Sequence, residues 1–236
     1  MGLWRPRPGT SWQIQLSGTA DISVQADVYD LDLFDTPQAT LDALHAAGRK
    51  VICYFSAGSH EDWRPDAAEF PTAAIGAPLD GWPGERWFDV RDAGVRAVLE
   101  RRLDLAVQKH CDAVDPDNVD GYANMSGFPL AAADQLDFNR FLARAAHARG
   151  MAAGLKNDVA QVADLASDFD FQVNEQCFQY NECDELLPFI RAQKPVFGIE
   201  YGDQARADAI CPQANQRDFD TLVKKLALDP FRIACR

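Results

Sequence analysis

The chain has 236 residues, 47% of them hydrophobic, with 36 acidic against 23 basic side chains and a formal net charge of −13. The apolar content suffices for a large core and excludes disorder as the main state. The length suits a single domain, which we expect over residues 1–236. The acidic excess disfavours nucleic acid as a partner, because phosphates are bound by lysine and arginine. It fits either an ordinary solvated surface or a cleft for a cationic ligand.

No stretch approaches the ~20 apolar residues of a transmembrane helix. Residues 1–7 contain no apolar signal-peptide core.

The cysteines show no zinc-binding spacing. Cys177 and Cys183 bracket a loop short enough for a disulfide, and Cys211 can pair with Cys235, which suggests an oxidising compartment. Buried free thiols are the alternative.

Eight short runs rich in apolar, β-branched or aromatic residues predict strands. They lie at 12–16, 28–33, 51–55, 86–90, 113–117, 152–155, 169–174 and 195–200. Helical patterns lie at 36–47, 93–109, 131–149, 159–166 and 216–227. Apolar strands separated by helices indicate a parallel sheet, and eight of them in this length predict an α/β fold, the closed (β/α)8 barrel. The first strand is not followed by a GxGxxG motif, which argues against dinucleotide binding.

Three of the four histidines precede predicted strands. His45 and His147 lie in the last turn of a helix before a glycine, and His110 lies shortly before the strand at 113–117. These positions fall at the amino-terminal end of a barrel, opposite the usual active-site face, so we predict structural roles for them. Only His60 follows a strand, which disfavours most histidine-based mechanisms.

Polar side chains follow the apolar runs at their carboxyl ends, the active-site face of a barrel. Asp30 and Asp32 lie on one face of the second strand by its period of two. For Asp32, Asp158 and Asp203 a helix N-cap or turn role is the alternative.

Two carboxylates are harder to explain as turn residues. Asp117 and Glu175 end apolar strands whose ends should face one another, and Asp115 shares the side of the strand that carries Asp117. Two opposed carboxylates perform glycoside hydrolysis, one as general acid and the other as nucleophile or base. A third carboxylate nearby can raise the pKa of one of them enough for proton donation at neutral pH.

Aromatic residues at strand ends and in the following loops offer faces on which sugar rings can stack. They are Trp12, Tyr54, Trp63, Trp82, Trp87, Tyr122 and Tyr201. Trp12 and Trp87 fit core positions equally well. The loops at 58–66 and 79–85 are predicted to form the walls of a cleft.

Six segments in chain order carry a family resemblance: VYDLDLFD at 28–35, VICYFSAGS at 51–59, EDWRPD at 61–66, PDNVDGY at 116–122, GLKN at 154–157 and VNEQC at 173–177. Together they resemble glycoside hydrolase family 114. The resemblance implies a (β/α)8 barrel, endo-α-1,4-polygalactosaminidase activity, a secreted or cell-surface setting, and Asp117 and Glu175 as the two catalytic carboxylates. The implied substrate is α-1,4-linked galactosamine, often partly N-acetylated. The chain departs from the family at Asp115, where glutamate is common, and at His60, where an aromatic is expected.

We predict endo-hydrolysis of a cationic amino-sugar polysaccharide by an extracellular or cell-surface monomer that needs no metal or cofactor. In a retaining scheme Asp117 attacks the anomeric carbon, and Glu175 protonates the leaving oxygen and then activates water. Asp30, Asp32 and Glu200 are predicted to hold ammonium groups. The full set of predicted substrate contacts is Asp30, Asp32, Tyr54, Trp63, Trp82, Asn118, Asp120, Tyr122, Lys156, Asn157, Glu200 and Tyr201.

Three alternatives stay open. In the first, Lys156 is the nucleophile of a Schiff-base lyase, which borohydride would trap. In the second, Asp30, Asp32 and Asp117 hold the metal of a hydrolase that EDTA would inhibit. In the third, the barrel binds amino-sugar polymers without generating new reducing ends.

Overall fold

The computed structural model describes residues 2–236. The strands are β1 (Trp12–Gln15), β2 (Val28–Asp32), β3 (Lys50–Ser56), β4 (Ser59–Glu61), β5 (Ile75–Pro78), β6 (Glu85–Phe88), β7 (Ala113–Asp117), β8 (Ala152–Lys156), β9 (Phe171–Glu175), β10 (Val196–Tyr201), β11 (Asp220–Lys224) and β12 (Ile233–Ala234). The helices are α1 (Gln38–Ala46), α2 (Ala93–Gln108), α3 (Ala132–Ala148), α4 (Val162–Leu165), α5 (Cys177–Tyr180), α6 (Leu187–Arg191) and α7 (Gln204–Gln216).

Eight strands form one parallel sheet in the order β1-β2-β3-β7-β8-β9-β10-β11, and β12 adds to it antiparallel to β11. The first and last parallel strands meet through hydrogen bonds. The Trp12 indole donates to the Asp220 carbonyl at 2.7 Å, and the Leu16 amide donates to the Leu228 carbonyl at 2.9 Å. The predicted (β/α)8 barrel is confirmed. Within residues 2–236, no helix is long and apolar enough to cross a membrane.

Two predicted elements are wrong. The run at 86–90 is not a barrel strand, because β6 pairs antiparallel with β4 and β5 in a separate three-stranded sheet. The segment at 216–227 is not a helix but contains β11, the eighth barrel strand. Phe219, Leu222 and Val223 have helical spacing, yet all three are buried. A barrel strand is covered on both faces, so its apolar residues need not alternate.

The barrel interior changes from apolar at the bottom to charged at the carboxyl rim. At the bottom the rings of Trp12 and Phe171 flank that of Phe197, with centroid distances of 4.9 and 5.6 Å. Interior side chains recur at every second residue of a strand, so the interior row that starts at Phe171 ends at Glu175. The same alternation brings polar side chains from neighbouring strands together above the apolar layer.

Three disulfides cross-link the chain. Cys177–Cys183 and Cys211–Cys235 confirm the two predicted pairs, and Cys53–Cys111 is a third pair that was not predicted. The third links β3 to the residues before β7. Disulfides persist in oxidising compartments, so this pattern fits a secreted protein.

The histidines at the lower rim hold strand starts in place, as predicted for structural residues. His45 Nε2 lies 3.0 Å from Asp112, and His147 Nε2 lies 2.7 Å from Asp170. The same two carboxylates accept backbone amides of β3 and β8 at 2.9 and 3.0 Å. His60, at the other rim, bonds to the Ala67 carbonyl.

Candidate active site

A cavity of about 740 Å³ opens at the carboxyl rim of the barrel. Asp117, Lys156 and Glu175 line it and are the last residues of the neighbouring strands β7, β8 and β9. The strands are parallel and each of the three residues ends an interior row, so the side chains meet at the cavity floor, where Lys156 lies 3.3 and 3.4 Å from the two carboxylates. The structure thus brings together the two carboxylates predicted to be catalytic.

Each of these three residues is followed by a non-glycine residue in the left-handed backbone region. The φ angles are +60° at Asn118, +47° at Asn157 and +66° at Gln176. Such a conformation costs of order 1–3 kcal/mol and concentrates at functional sites, and asparagine tolerates it better than most residues. The chain therefore turns sharply directly after each side chain of the floor.

Gly58 allows one of these turns to pack against the next loop. A Cβ atom at Gly58 would lie 1.6 Å from the Asn118 carbonyl oxygen. The Gly58 amide donates to the Asp117 carbonyl at 3.0 Å. Only glycine permits this approach, so the sequence SAGS after β3 supports the position of Asp117.

Lys156 connects the two carboxylates electrostatically. Its Nζ lies 3.3 Å from Asp117 Oδ1 and 3.4 Å from Glu175 Oε2, and its side chain is 2% exposed. Burial lowers the pKa of Lys156, but Asp117, Glu175 and Asp115 together raise it well above its usual range. The amine is therefore an ammonium ion without a lone pair for attack on a carbonyl, which argues against the Schiff-base alternative.

Each carboxylate also has its own tyrosine. The Tyr54 hydroxyl donates to Asp117 Oδ2 at 2.7 Å, and the Tyr201 hydroxyl donates to Glu175 Oε1. Burial and the adjacent carboxylate raise the pKa of both tyrosines, so both remain proton donors. Asn157 fixes Glu175 further, since its Oδ1 accepts the Glu175 amide at 2.8 Å and its Nδ2 donates to Glu175 Oε2 at 3.4 Å.

The spacing of the two carboxylates is short. Because both oxygens contact one nitrogen, they are separated by at most the sum of the two distances, about 6.7 Å. Retaining glycosidases hold their carboxyl groups ~5–5.5 Å apart, and inverting enzymes ~6.5–9.5 Å apart. The bound includes the whole of the retaining range and only the lower edge of the inverting range.

Most of the other predicted substrate contacts line the cavity. These are Asp32, Tyr54, Trp63, Trp82, Asn118, Asp120, Lys156, Asn157 and Tyr201. Trp63 and Trp82 are 51% and 52% exposed, so their ring faces are free. Burial and the charge of Asp117 raise the pKa of Asp120 to about 6.

Three predicted substrate contacts lie outside the cavity, and a fourth already has a partner within the chain. Asp30 is fully buried below the floor, and Glu200 is buried against Arg206 and the Phe178 amide. Tyr122 does not line the cavity either, and it forms a hydrogen bond with Asp158. The structure therefore does not bring these three side chains to the cavity, where they were predicted to contact the sugar chain.

Asp32 lines the cavity, but Arg64 contacts both of its oxygens at 3.0 and 2.7 Å. The predicted ammonium-binding role of Asp32 therefore has a competing partner within the chain. Asp203 accepts the amides of Ala205 and Arg206 and caps α7, which confirms its N-cap alternative.

The cavity also contains carboxylates and an aromatic that the sequence analysis did not single out: Asp35, Glu61, Asp80, Glu85 and Tyr180. Glu61, Asp80 and Glu85 lie in the predicted cleft loops and Asp35 follows β2, and no local pattern distinguishes a wall residue from a solvated one there. Burial raises the pKa of Glu85 to about 7. Tyr180 lies between Cys177 and Cys183, and that disulfide was its one available signal.

A metal site does not emerge from the geometry. Within residues 2–236, no three or more His, Cys, Asp and Glu side chains are grouped as ligands for a metal ion.

The model of glycoside hydrolase family GH114 matches residues 1–236. The chain belongs to glycoside hydrolase family 114. It is therefore a glycoside hydrolase, as the resemblance of the six segments predicted. A search of curated protein sequences gives no match.

Two solved structures are similar to this chain over nearly its whole length. The chain is similar to Aspergillus fumigatus Ega3, solved in complex with galactosamine, with 45% identity and a TM-score of 0.95 over 100% of this chain and 98% of that one. The glycoside hydrolase domain of PelA from Pseudomonas aeruginosa is 16% identical, with a TM-score of 0.75 over 95% of this chain and 98% of that one. The PelA similarity supports the fold alone.

Proposed function

We propose that this protein is a retaining endo-hydrolase of α-1,4-linked galactosamine polymers, with Asp117 and Glu175 as its catalytic carboxylates. The observation that carries the proposal is the pair of carboxylates on either side of Lys156 at the cavity floor. Similarity over the full chain to a protein that binds galactosamine supports the choice of sugar.

In the first step Asp117 attacks the anomeric carbon while Glu175 donates a proton to the leaving glycosidic oxygen. The C–O bond of the linkage breaks, and a glycosyl ester forms on Asp117. Tyr54 and the Asn118 amide, both 2.7 Å from Asp117 oxygens, orient the attacking group. Glu175 has the more exposed side chain of the pair, 24% against 17%, which suits the residue that exchanges protons with water.

In the second step Glu175, now a carboxylate, removes a proton from water as the water attacks the anomeric carbon. The ester bond to Asp117 breaks, and the sugar leaves with its original configuration. Lys156 stays charged throughout and limits the repulsion between the two carboxylates.

The cavity wall suits a cationic chain. Asp80, Glu85 and Asp120 line it, and Asp35 adds a side chain that is 79% exposed. The protein has a formal net charge of −13, so these groups attract ammonium-bearing sugars at long range. Added salt shortens the range of this attraction. We propose that these carboxylates, and not Asp30 or Glu200, bind the amino groups.

The cavity is open at the rim and has exposed aromatics on two sides. Trp63 and Trp82 follow β3, and Tyr180 follows β9, three strands further around the barrel. An open cleft between such platforms accommodates a polymer that extends in both directions, which supports endo action. We propose a single-domain monomer that acts outside the cell or at its surface, in keeping with its three disulfides.

Incubation with a purified, partly deacetylated galactosamine polymer tests the activity. We expect new reducing ends and a ladder of oligomers by mass spectrometry, and no such products from Asp117→Asn or Glu175→Gln. Asp42→Asn, an exposed carboxylate on α1, is the control and should cleave normally. Full activity in a folded Asp117→Asn or Glu175→Gln variant would exclude the assignment. Polymer binding without cleavage by the unmodified protein would favour the binding barrel instead.

The stereochemistry needs a separate measurement. Proton NMR of the first product should show the α-anomer before mutarotation. A β-anomer would mean inversion, with Asp117 or Glu175 acting as a base on water.

A further inference from the structure

Two aspartates lie inside the barrel beneath the proposed catalytic pair. Asp30 on β2 and Asp115 on β7 are both fully buried. As carboxylates, their four oxygens have no hydrogen-bond partner among the described residues. Two adjacent ionised carboxylates without donors are strongly disfavoured in a protein interior, so their protonation state needs an explanation.

One proton satisfies both groups. When Asp30 is protonated, its hydroxyl donates to Asp115, and the two together carry a single negative charge. Burial, followed by the Asp115 carboxylate, raises the pKa of Asp30 well above its usual range. Burial also raises the pKa of Asp115, and the Lys156 ammonium opposes the rise in both groups. The pair therefore carries one proton and one negative charge, and we assign the charge to Asp115, which lies directly below Asp117 on β7.

The charged groups that face this pair are Lys156 on β8, Asp117 on β7 and Glu175 on β9. Asp115 lies one interior position below Asp117 on the same strand. Lys156 thus has negative charge beneath it as well as on its two cavity sides. A lysine with carboxylates on one side only would be drawn toward them or toward solvent.

We propose that Asp30 and Asp115 are positioning residues that share one proton, hold the Lys156 ammonium between Asp117 and Glu175, and set the alkaline limit of the reaction. This inference rests on the proposed function. The negative charge of Asp115 partly offsets that of Lys156, so the field that the ammonium exerts on the proposed proton donor is weaker than that of an uncompensated ammonium.

Two variants separate the roles of the pair. Asp115→Asn removes the charge, so we expect the alkaline limb of the kcat/KM profile to move down by about one pH unit. Asp30→Asn keeps a neutral donor toward Asp115, so its alkaline limb should stay at the pH of the unmodified enzyme, whatever the change in kcat. The substrate is a soluble α-1,4-galactosamine oligomer. Equal shifts in both variants, or no shift in either, would overturn the proposal.

Infrared spectroscopy of the protein without substrate gives a second readout. At pH 9 the carboxyl groups with pKa values of about 6 to 8, including Glu85 and Asp158, have ionised. A protonated-carboxyl band that remains in the unmodified protein and disappears in Asp30→Asn supports the shared proton, and its absence overturns it. This measurement does not depend on cleavage, so a failure of the proposed function is recognised separately, by the lack of products from the unmodified enzyme.

Discussion

The two ends of the barrel use the same residue types for different purposes. At the lower rim Asp112 is contacted by His45 at 3.0 Å, by Lys50 at 2.7 Å and by the Val51 amide at 2.9 Å. Asp170 is held in the same way by a histidine and a backbone amide. Each of these carboxylates has its own set of donors, and each fixes the start of a strand.

At the upper rim the carboxylates outnumber the cations. Asp117 and Glu175 share Lys156, and Asp115 faces the same ammonium from below. The contrast lies in the cation and not in the number of donors, because Asp112 has Lys50 to itself whereas Asp117 and Glu175 share Lys156. A carboxylate with its own cationic partner stabilises the fold, whereas two carboxylates that share one cation remain available for chemistry on a substrate.

The largest effect is expected from removing the shared cation. Lys156→Met leaves the buried Asp115 and the partly buried Asp117 and Glu175 without their shared cation, so we expect a stability loss of ~3–5 kcal/mol. We also expect kcat/KM to fall by at least ~100-fold, because the charge between the catalytic groups is lost. Lys50→Met at the lower rim removes a half-exposed pair and should cost only ~0–1 kcal/mol. Denaturant unfolding and kinetics measure both variants, and similar losses in the two would contradict the contrast between the rims.

Two glycines, one at each rim, test the difference between the rims through steric contacts instead of charge. The Cβ atom of Gly58→Ala would collide with the Asn118 carbonyl, so we expect a loss of ~2–4 kcal/mol together with a fall in kcat. Gly48, at the lower rim, has φ of +76° but nothing within 4 Å of its Cβ position. Gly48→Ala should therefore cost only ~1 kcal/mol and leave kcat unchanged. A normal kcat in a folded Gly58→Ala variant would show that the position of Asp117 tolerates this shift.

The pH dependence of stability should also reflect the upper rim. Burial, then the charge of Asp120, raises the pKa of Asp158 to about 8. A raised carboxyl pKa in the folded state means that folding binds a proton, so stability falls as pH rises from about 4 to 8. Asp158→Asn removes this loss, and asparagine also suits the φ of +44° at this position.

We expect Asp158→Asn to gain roughly 2–3 kcal/mol on the unmodified protein between pH 5 and pH 8. Chemical denaturation at the two pH values measures this gain. Asp42→Asn, on the surface of α1, should differ from the unmodified protein by less than ~0.5 kcal/mol at both. A gain of equal size in the two variants would mean that burial of Asp158 has no role.

The sequence predicted the upper rim because local rules determine it. Strand alternation and the parallel arrangement place residues that end apolar runs at one rim, and this placed Asp117, Lys156 and Glu175 together before any contact was known. The turns after these three residues also depend on local sequence, because asparagine or glutamine directly follows each strand end.

Depth and pairing could not be predicted, because they depend on the stagger of the barrel and on residues far along the chain. Asp30 and Asp32 look equivalent in sequence, yet one lies beneath the floor and the other bonds to Arg64. Glu200 forms an ion pair with Arg206, which lies on the next helix, α7. The last barrel strand, β11, was missed because its apolar spacing is also that of a helix. Its strand conformation is decided by the free position between β10 and β1, which exists only in the folded barrel.

The smallest effects are expected at the edge of the cavity, where binding and not chemistry is at stake. Trp63→Ala, Trp82→Ala and Tyr180→Ala each remove an exposed ring that lines the cavity. A stacked ring contributes ~0.5–1.5 kcal/mol, so KM for long galactosamine chains should rise roughly 3- to 10-fold in each variant. For trimers or tetramers that fill only the floor, KM should change by less than ~2-fold. Val107→Ala, an exposed position on α2 outside the cavity, is the control. Initial rates measured with chains of different length give KM for each variant. A rise in KM that is the same for short and long chains would place these rings at the cleaved bond, and not on the two platforms that extend the cleft.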